Sequence, residues 1–233
     1  ITGVIQGNLI GTDITGNVAL GNVRAGIYVD AEVGDFLIGG DTEAQRNIIS
    51  GNGYSTGITL WAGVDIGIRQ TEETGSMVIR NNFIGTNITG DAALPNAEHG
   101  ISIQNSDENG PLLIEHNVIS GNGTDGINIF SSDSLTTIRA NFIGVNQAGD
   151  PIPNGRSGID TRISGSVLVG GNDDNDKNYI AYNLDSGIGE SGFAAPGKRY
   201  LSNAIYANGG LGIDIGYDAQ PDAGFPILND ITS

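Results

Sequence analysis

Seven times along this chain an asparagine is followed two residues later by isoleucine and five residues later by asparagine or, once, aspartate. The motif opens at Asn8, Asn47, Asn82, Asn117, Asn141, Asn178 and Asn203. Its isoleucines are Ile10, Ile49, Ile84, Ile119, Ile143, Ile180 and Ile205, and it closes on Asp13, Asn52, Asn87, Asn122, Asn146, Asn183 and Asn208. Motifs recur every 24 to 39 residues with fixed internal spacing. That is the signature of a repeat architecture, in which length is a multiple of the repeat and not a measure of domain count.

Two further columns keep step with the motif. Gly-Ile follows it at Gly26-Ile27, Gly57-Ile58, Gly100-Ile101, Gly126-Ile127, Gly158-Ile159, Gly187-Ile188 and Gly212-Ile213. Two residues on come Val29, Leu60, Ile103, Ile129, Thr161, Glu190 and Ile215, an alternation that predicts a strand with one buried face. An apolar residue precedes the asparagine at Ile5, Ile79, Ile114, Ile138 and Tyr200, displaced by insertions to Ile38 and Val169 in the other two repeats. Each repeat therefore carries three short strands, and no stretch has sustained helical periodicity with caps. The expected fold is all-β: a right-handed, single-stranded parallel β-helix of about seven coils with three short strands per coil. At about 4.8 Å per coil it would form a rod on the order of 30 Å long. An asparagine in every coil can hydrogen-bond the amides above and below, and it tolerates the left-handed backbone of a sharp bend. The opening asparagines are read as that structural ladder.

A higher-order repeat is superposed. Residues 7–29 match 81–103 without a gap, and 140–162 is a looser copy. Long and short asparagine-to-glycine spacings alternate, so the long loops project from one side, two coils apart. The insertions at 39–47 and 170–178 fall at another corner. Residues 1–215 read as the repeats and 216–233 as a capping segment of the same domain.

The net charge of −17, from 27 acidic and 10 basic residues, argues against nucleic acid and against an anionic membrane surface. No apolar run is long enough to span a membrane, so no membrane insertion is expected. There is no cysteine, which removes disulfides, thiolate metal sites and thiol nucleophiles. The chain opens on ITGVIQGN, without methionine or a basic, apolar leader, and so reads as a fragment or processed product.

The segments NLIGTDITGNVALGN (8–22), IGGDTEAQRNIISGNG (38–53), NFIGTNITGDAALPN (82–96) and NGGLGIDIG (208–216) resemble the long β-helical repeat regions of bacterial exported and cell-surface proteins. The resemblance covers residues 2–216, and GYDAQPDAGFPIL looks like a shortened form of the segment that closes such arrays. It implies an extracellular or bacterial cell-surface location. The wider superfamily, the pectate-lyase-like right-handed β-helices, includes lyases, polygalacturonases, epimerases, tailspikes and adhesin stalks, so fold analogy alone does not choose a function.

Residues that break the repeat are the candidates for chemistry. Aligning coils on Gly-Ile places His99 beside Asp125, with Ser102, Asn128 and Asp160 nearby. Trp61, Gln104, Phe130 and Arg162 fall two positions further along. Aromatic, amide and acidic groups together suit a sugar, so Trp61, Gln104, Asn128 and Phe130 are the expected ligand-binding set. His99-Gly100 resembles a strand of polygalacturonases, but the Asn-Thr-Asp, paired-Asp and Arg-x-Lys strands those enzymes need are missing. If catalysis occurs, His99, Asp125, Asp160 and Arg162 would carry it, with the two carboxylates flanking a glycosidic bond. Asp173, Asp174 and Asp176 form the densest oxygen cluster and the candidate calcium site, though their spacing departs from an EF-hand. No other cofactor is expected. The balance favours a non-enzymatic, structural or adhesive module that meets a polysaccharide or cell-surface glycan and associates end to end or with itself. The second reading is a carbohydrate-active hydrolase, lyase or epimerase.

Overall fold

The computed structural model describes residues 3–29, 35–53, 64–69, 76–106, 111–131, 135–162, 166–190 and 197–215, with only the backbone course of 64–69, 104–106 and 131. It is a parallel β-helix whose strands form three seven-stranded sheets, each built from one strand per coil. The first sheet holds Gly3–Ile5, Phe36–Gly39, Met77–Arg80, Leu112–Glu115, Thr136–Arg139, Val167–Gly170 and Lys198–Leu201. The second holds Leu9–Ile10, Ile48–Ile49, Phe83–Ile84, Val118–Ile119, Phe142–Ile143, Tyr179–Ala181 and Ala204–Tyr206. The third holds Ile27–Val29, Val64–Arg69, Ile101–Ser106, Ile127–Ser131, Ile159–Thr161, Ile188–Gly189 and Ile213–Asp214. All ladder pairings between these strands are parallel and join successive coils. Among the described residues the only helical pieces are two three-residue 3-10 turns, and no helix is long and apolar enough to cross a membrane.

Alternation within each strand puts one isoleucine column per sheet into the lumen. Ile79, Ile84, Ile101, Ile114, Ile119, Ile127, Ile138 and Ile143 are all completely enclosed. Each such side chain contributes about 1.5–3 kcal/mol relative to exposure. Like residues stack because the register is exact from coil to coil: Ile114 pairs with Ile79 on one side and Ile138 on the other.

Two asparagine ladders turn the corners on either side of the second sheet. In the first, each Nδ2 donates to the Oδ1 of the next coil, through Asn8, Asn47, Asn82, Asn117, Asn141, Asn178 and Asn203, at 2.8–3.0 Å. The same nitrogen also holds a backbone carbonyl, as Asn117 holds Ile79 O at 2.9 Å. The left-handed backbone falls on the residue before the ladder asparagine: Asn81, His116, Ala140 and Ser202 have φ of 54°, 57°, 53° and 54°. The asparagine is thus selected for its amide, not for the bend.

The second ladder corrects the sequence alignment. Its members are Asn22, Asn52, Asn96, Asn122, Asn154, Asn183 and Asn208. In the three long-loop coils the motif's closing residues Asp13, Asn87 and Asn146 do not enter it. Their side chains accept from backbone amides inside the loop, as Asn87 does from Asp91 and Ala92. Each loop folds back through an antiparallel bridge, Thr12 with Ala19, Thr86 with Ala93 and Val145 with Pro151, and delivers a later asparagine to the ladder position.

Two more registers differ from expectation. In the second coil the strand paired with Ile27–Val29 and Ile101–Ser106 is Val64–Arg69, so Gly57-Ile58 is not its Gly-Ile column. Trp61 lies outside the described residues, as does the capping segment 216–233. In the third sheet a bulge at Phe130 pairs Gln104 with Ser131, so Phe130 and Gln104 do not stack directly.

Candidate functional site

The start of the third sheet brings His99 and Asp125 together across adjacent coils, because Gly100 N donates to Asp125 O. His99 Nδ1 lies 3.1 Å from Asp125 Oδ2 and 2.9 Å from Thr124 Oγ1. Asp125 Oδ1 accepts from Ser157 N at 3.0 Å, while Arg156 stands 3.8 Å from Oδ2. The His99 contact is close without hydrogen-bond alignment, and Oδ2 is a buried oxygen with no aligned donor. The Asp125 side chain is 0% exposed.

Asp160 belongs to a second group on the next coil. It lies three residues past Ser157, the residue in register with Asp125, which is about 10 Å along the strand. Arg162 Nε donates to Asp160 Oδ2 at 3.2 Å, and Asn128 Nδ2 reaches the same oxygen at 3.5 Å. Asp160 is 2% exposed and Asn128 is also buried. The two groups approach each other beside Gly189, where a Cβ would sit 3.4 Å from Ser157 Oγ and 3.9 Å from Asp160 Oδ1. The four residues proposed for catalysis thus gather as two neighbouring pairs, His99 with Asp125 and Arg162 with Asp160, whose carboxylates are enclosed by their partners. Of the expected ligand-binding residues, Phe130 is exposed, Asn128 is enclosed, and the side chain of Gln104 lies outside the described residues with Trp61.

Asp173 and Asp176 each give an oxygen to the 3-10 turn Asp174–Asp176. Asp173 Oδ1 accepts from Asn175 N at 2.9 Å and Asp176 Oδ2 from Asp173 N at 3.3 Å, while Asp174 pairs with Lys177. Asp176 Oδ1 is held by Arg139 at 3.0 Å. Among the described residues no group of three or more metal-ligating side chains converges.

The structure reveals a further site at the corner between the first and second sheets. The insertions of the second and sixth coils each open on a glycine with positive φ, Gly39 at 93° and Gly170 at 84°. A Cβ there would strike the backbone oxygen of Arg80 or Leu201 at 1.9 or 1.8 Å. Each insertion then forms a 3-10 turn, Glu43–Gln45 and Asp174–Asp176. Between them the third, fourth and fifth coils turn tightly at Asn81, His116 and Ala140, leaving a recess of about 450 Å³. A chain of ion pairs starts at its lining, with Asp41 and Arg80, and continues behind it through Glu115, Arg139 and Asp176. Asp41 binds Arg80 at 2.6 Å, Arg80 binds Glu115 at 2.5 Å, Glu115 binds Arg139 at 2.9 Å, and Arg139 binds Asp176. Glu115, in the middle, is 4% exposed. The Arg139 pKa is raised: burial opposes this, but the Glu115 and Asp176 carboxylates outweigh it. Arg46 lies 4.1 Å over the Phe83 ring and donates to Asn81 Oδ1 at 2.8 Å; burial lowers its pKa, partly offset by Glu43. Phe142 and Gln147 close the far side, and Phe142 stacks on Tyr179 with centroids 5.2 Å apart.

Sequence reasoning passed over this recess because the bases look scattered along the chain. The signal was present: two residues before successive ladder asparagines stand Arg80, Glu115 and Arg139, alternating in sign at one register. No protein-family model, no curated protein and no solved structure matches the chain.

Proposed function

We propose that the chain is a non-catalytic β-helical module of an exported or cell-surface protein. It serves as a rigid rod that holds a contact surface toward a polysaccharide or cell-surface glycan. Its place among bacterial surface proteins of the pectate-lyase-like superfamily rests on the resemblance of its repeat words. The observation that carries the non-catalytic reading is the enclosure of Asp125 and Asp160, 0% and 2% exposed and each engaged by its own cation. Glycoside cleavage needs two carboxylates facing the scissile bond. The continuous ladders and stacked isoleucines suit a spacer, since identical coils repeat one geometry along the rod.

The second reading, a carbohydrate-active enzyme, draws on the 3.1 Å approach of His99 to Asp125. One assay separates the two. The protein is incubated with neutral and acidic polysaccharides, and new reducing ends and unsaturated products are measured over days. The module reading expects neither above the level given by Asp125→Asn. Turnover that this substitution abolishes would overturn it.

A further inference from the structure

We propose that the recess between the two 3-10 insertions is a binding site for an uncharged oligosaccharide. This deepens the adhesive reading above and rests on it. The volume of about 450 Å³ suits a ligand of two or three sugar rings. The two guanidiniums that line it are already engaged: Arg80 is shared by Asp41 and Glu115, and Arg46 donates to Asn81 Oδ1 and lies over the Phe83 ring. The guanidiniums are therefore positioned as fixed donors and not as free clamps for phosphate, sulfate or uronate. The exposed rim acids Asp41 and Glu43, in a chain of net charge −17, add repulsion toward a polyanion.

What faces the ligand is a mixed set of short-range partners. Asp41 and Glu43 offer acceptors, Gln147 both an acceptor and donors, and His116 one of each in its neutral form. Vicinal hydroxyls, each donor and acceptor, match such a set. The Phe142 ring, stacked on Tyr179 and packed against the Phe83 and Val118 cluster, presents an apolar edge to the C–H groups of a pyranose. The lining residues Asn81, His116 and Ala140 sit on successive coils at a spacing of about 4.8 Å, close to the advance of one sugar unit along an extended glycan. The site lies at a different corner from the His99 and Phe130 face, so the two are separable by mutation.

The test uses the full chain and short oligosaccharides of neutral glucans, mannans, galactans and xylans, with uronate oligomers as the anionic arm, read by calorimetry at low and high salt. His116→Gly removes the imidazole while suiting its left-handed backbone, and Gln147→Ala and Asp41→Ala alter exposed side chains, so all three should fold; thermal midpoints check this. Phe130→Ala controls for the third sheet. The expected result is salt-insensitive binding of a neutral oligosaccharide, weakened about fivefold or more by each recess substitution and unchanged by Phe130→Ala. Binding that survives the recess substitutions but fails with Phe130→Ala overturns this site and leaves the adhesive reading standing. Salt-sensitive binding of uronates alone overturns the ligand class. No binding by the wild-type chain overturns both.

Discussion

Alanine at φ of 52° or 53° is an uneasy choice, yet Ala140 and Ala207 occupy such bends, in company with Tyr182 and Ser202. The left-handed region costs a non-glycine residue roughly 1 kcal/mol. The sequence marks these bends poorly, because five residue types besides glycine fill equivalent positions and what they share is location beside a ladder asparagine. Ala207→Gly removes the strain at an exposed corner that touches neither candidate site, although glycine also loosens the unfolded chain. The expected net gain is about 0.5 kcal/mol, seen as a rise in the urea midpoint at unchanged slope. Another residue-scale oddity is Tyr200, which takes the lumen column where earlier coils place isoleucine or valine. Its hydroxyl donates to Glu190 Oε1 at 2.5 Å, and Lys198 meets Glu190 Oε2 at 3.1 Å. Burial, and then the bond to Glu190, push the Tyr200 pKa well above its ordinary value of 10.0. A raised folded pKa means that stability is intact below pH 10, then falls as pH rises and the unfolded chain ionises first. Tyr200→Phe should lower stability at neutral pH, by leaving Glu190 short of a donor, and flatten the alkaline decline. Thermal midpoints from pH 8 to 11 measure both.

At the scale of the coil element, the first ladder was legible in the sequence because its asparagines precede a fixed strand. The second was legible only in the short coils. In the long ones an identical motif word, ending in Asn87 or Asn146, begins a loop, and the hydrogen bond that decides membership spans from 26 to 44 residues of sequence. Local spacing cannot report such a bond. The ladder's value should depend on position along the rod. Asn117 is wholly enclosed, donates to Asn141 Oδ1 and Ile79 O, and accepts from Asn82. Asn8 lies at the first coil, exposed, with ladder contacts on one side alone. Asn117→Ala strands a donor, an acceptor and a carbonyl away from water and should cost about 3 kcal/mol, whereas Asn8→Ala should cost under about 1 kcal/mol. Equal losses in chemical denaturation would mean that the ladder follows the fold without supporting it.

Across the whole molecule, three isoleucine columns and one glycine column were enough to specify seven coils and three parallel sheets, because each coil repeats one packing problem. Sites have no such redundancy. His99 and Asp125 met as the register required, but their burial, and that of Asp160, depends on how outward side chains fold onto partners. The recess depends on two insertions four coils apart, with three tight corners between them. Energetically the rod is mainly a chain of nearest-neighbour contacts: every strand pairing and both ladders join adjacent coils, and so do the ion pairs from Asp41 to Asp176, while a few bonds reach two coils, as from Ile88 N to Gly16 O and from Lys198 Nζ to Thr161 O. Such an array frays from its ends. Amide exchange should therefore be slowest at the centre, at Ile114, Ile119, Ile138 and Ile143, and faster toward Ile5 and Ile213. Weakening the centre by Asn117→Ala should accelerate exchange in the fourth coil and its two neighbours, because their contacts with that coil are lost when it opens. The outer coils should change little, since they already open independently. Uniform acceleration across all seven coils would instead mean one cooperative unit, in which long-range coupling through the shared lumen outweighs the neighbour-to-neighbour terms.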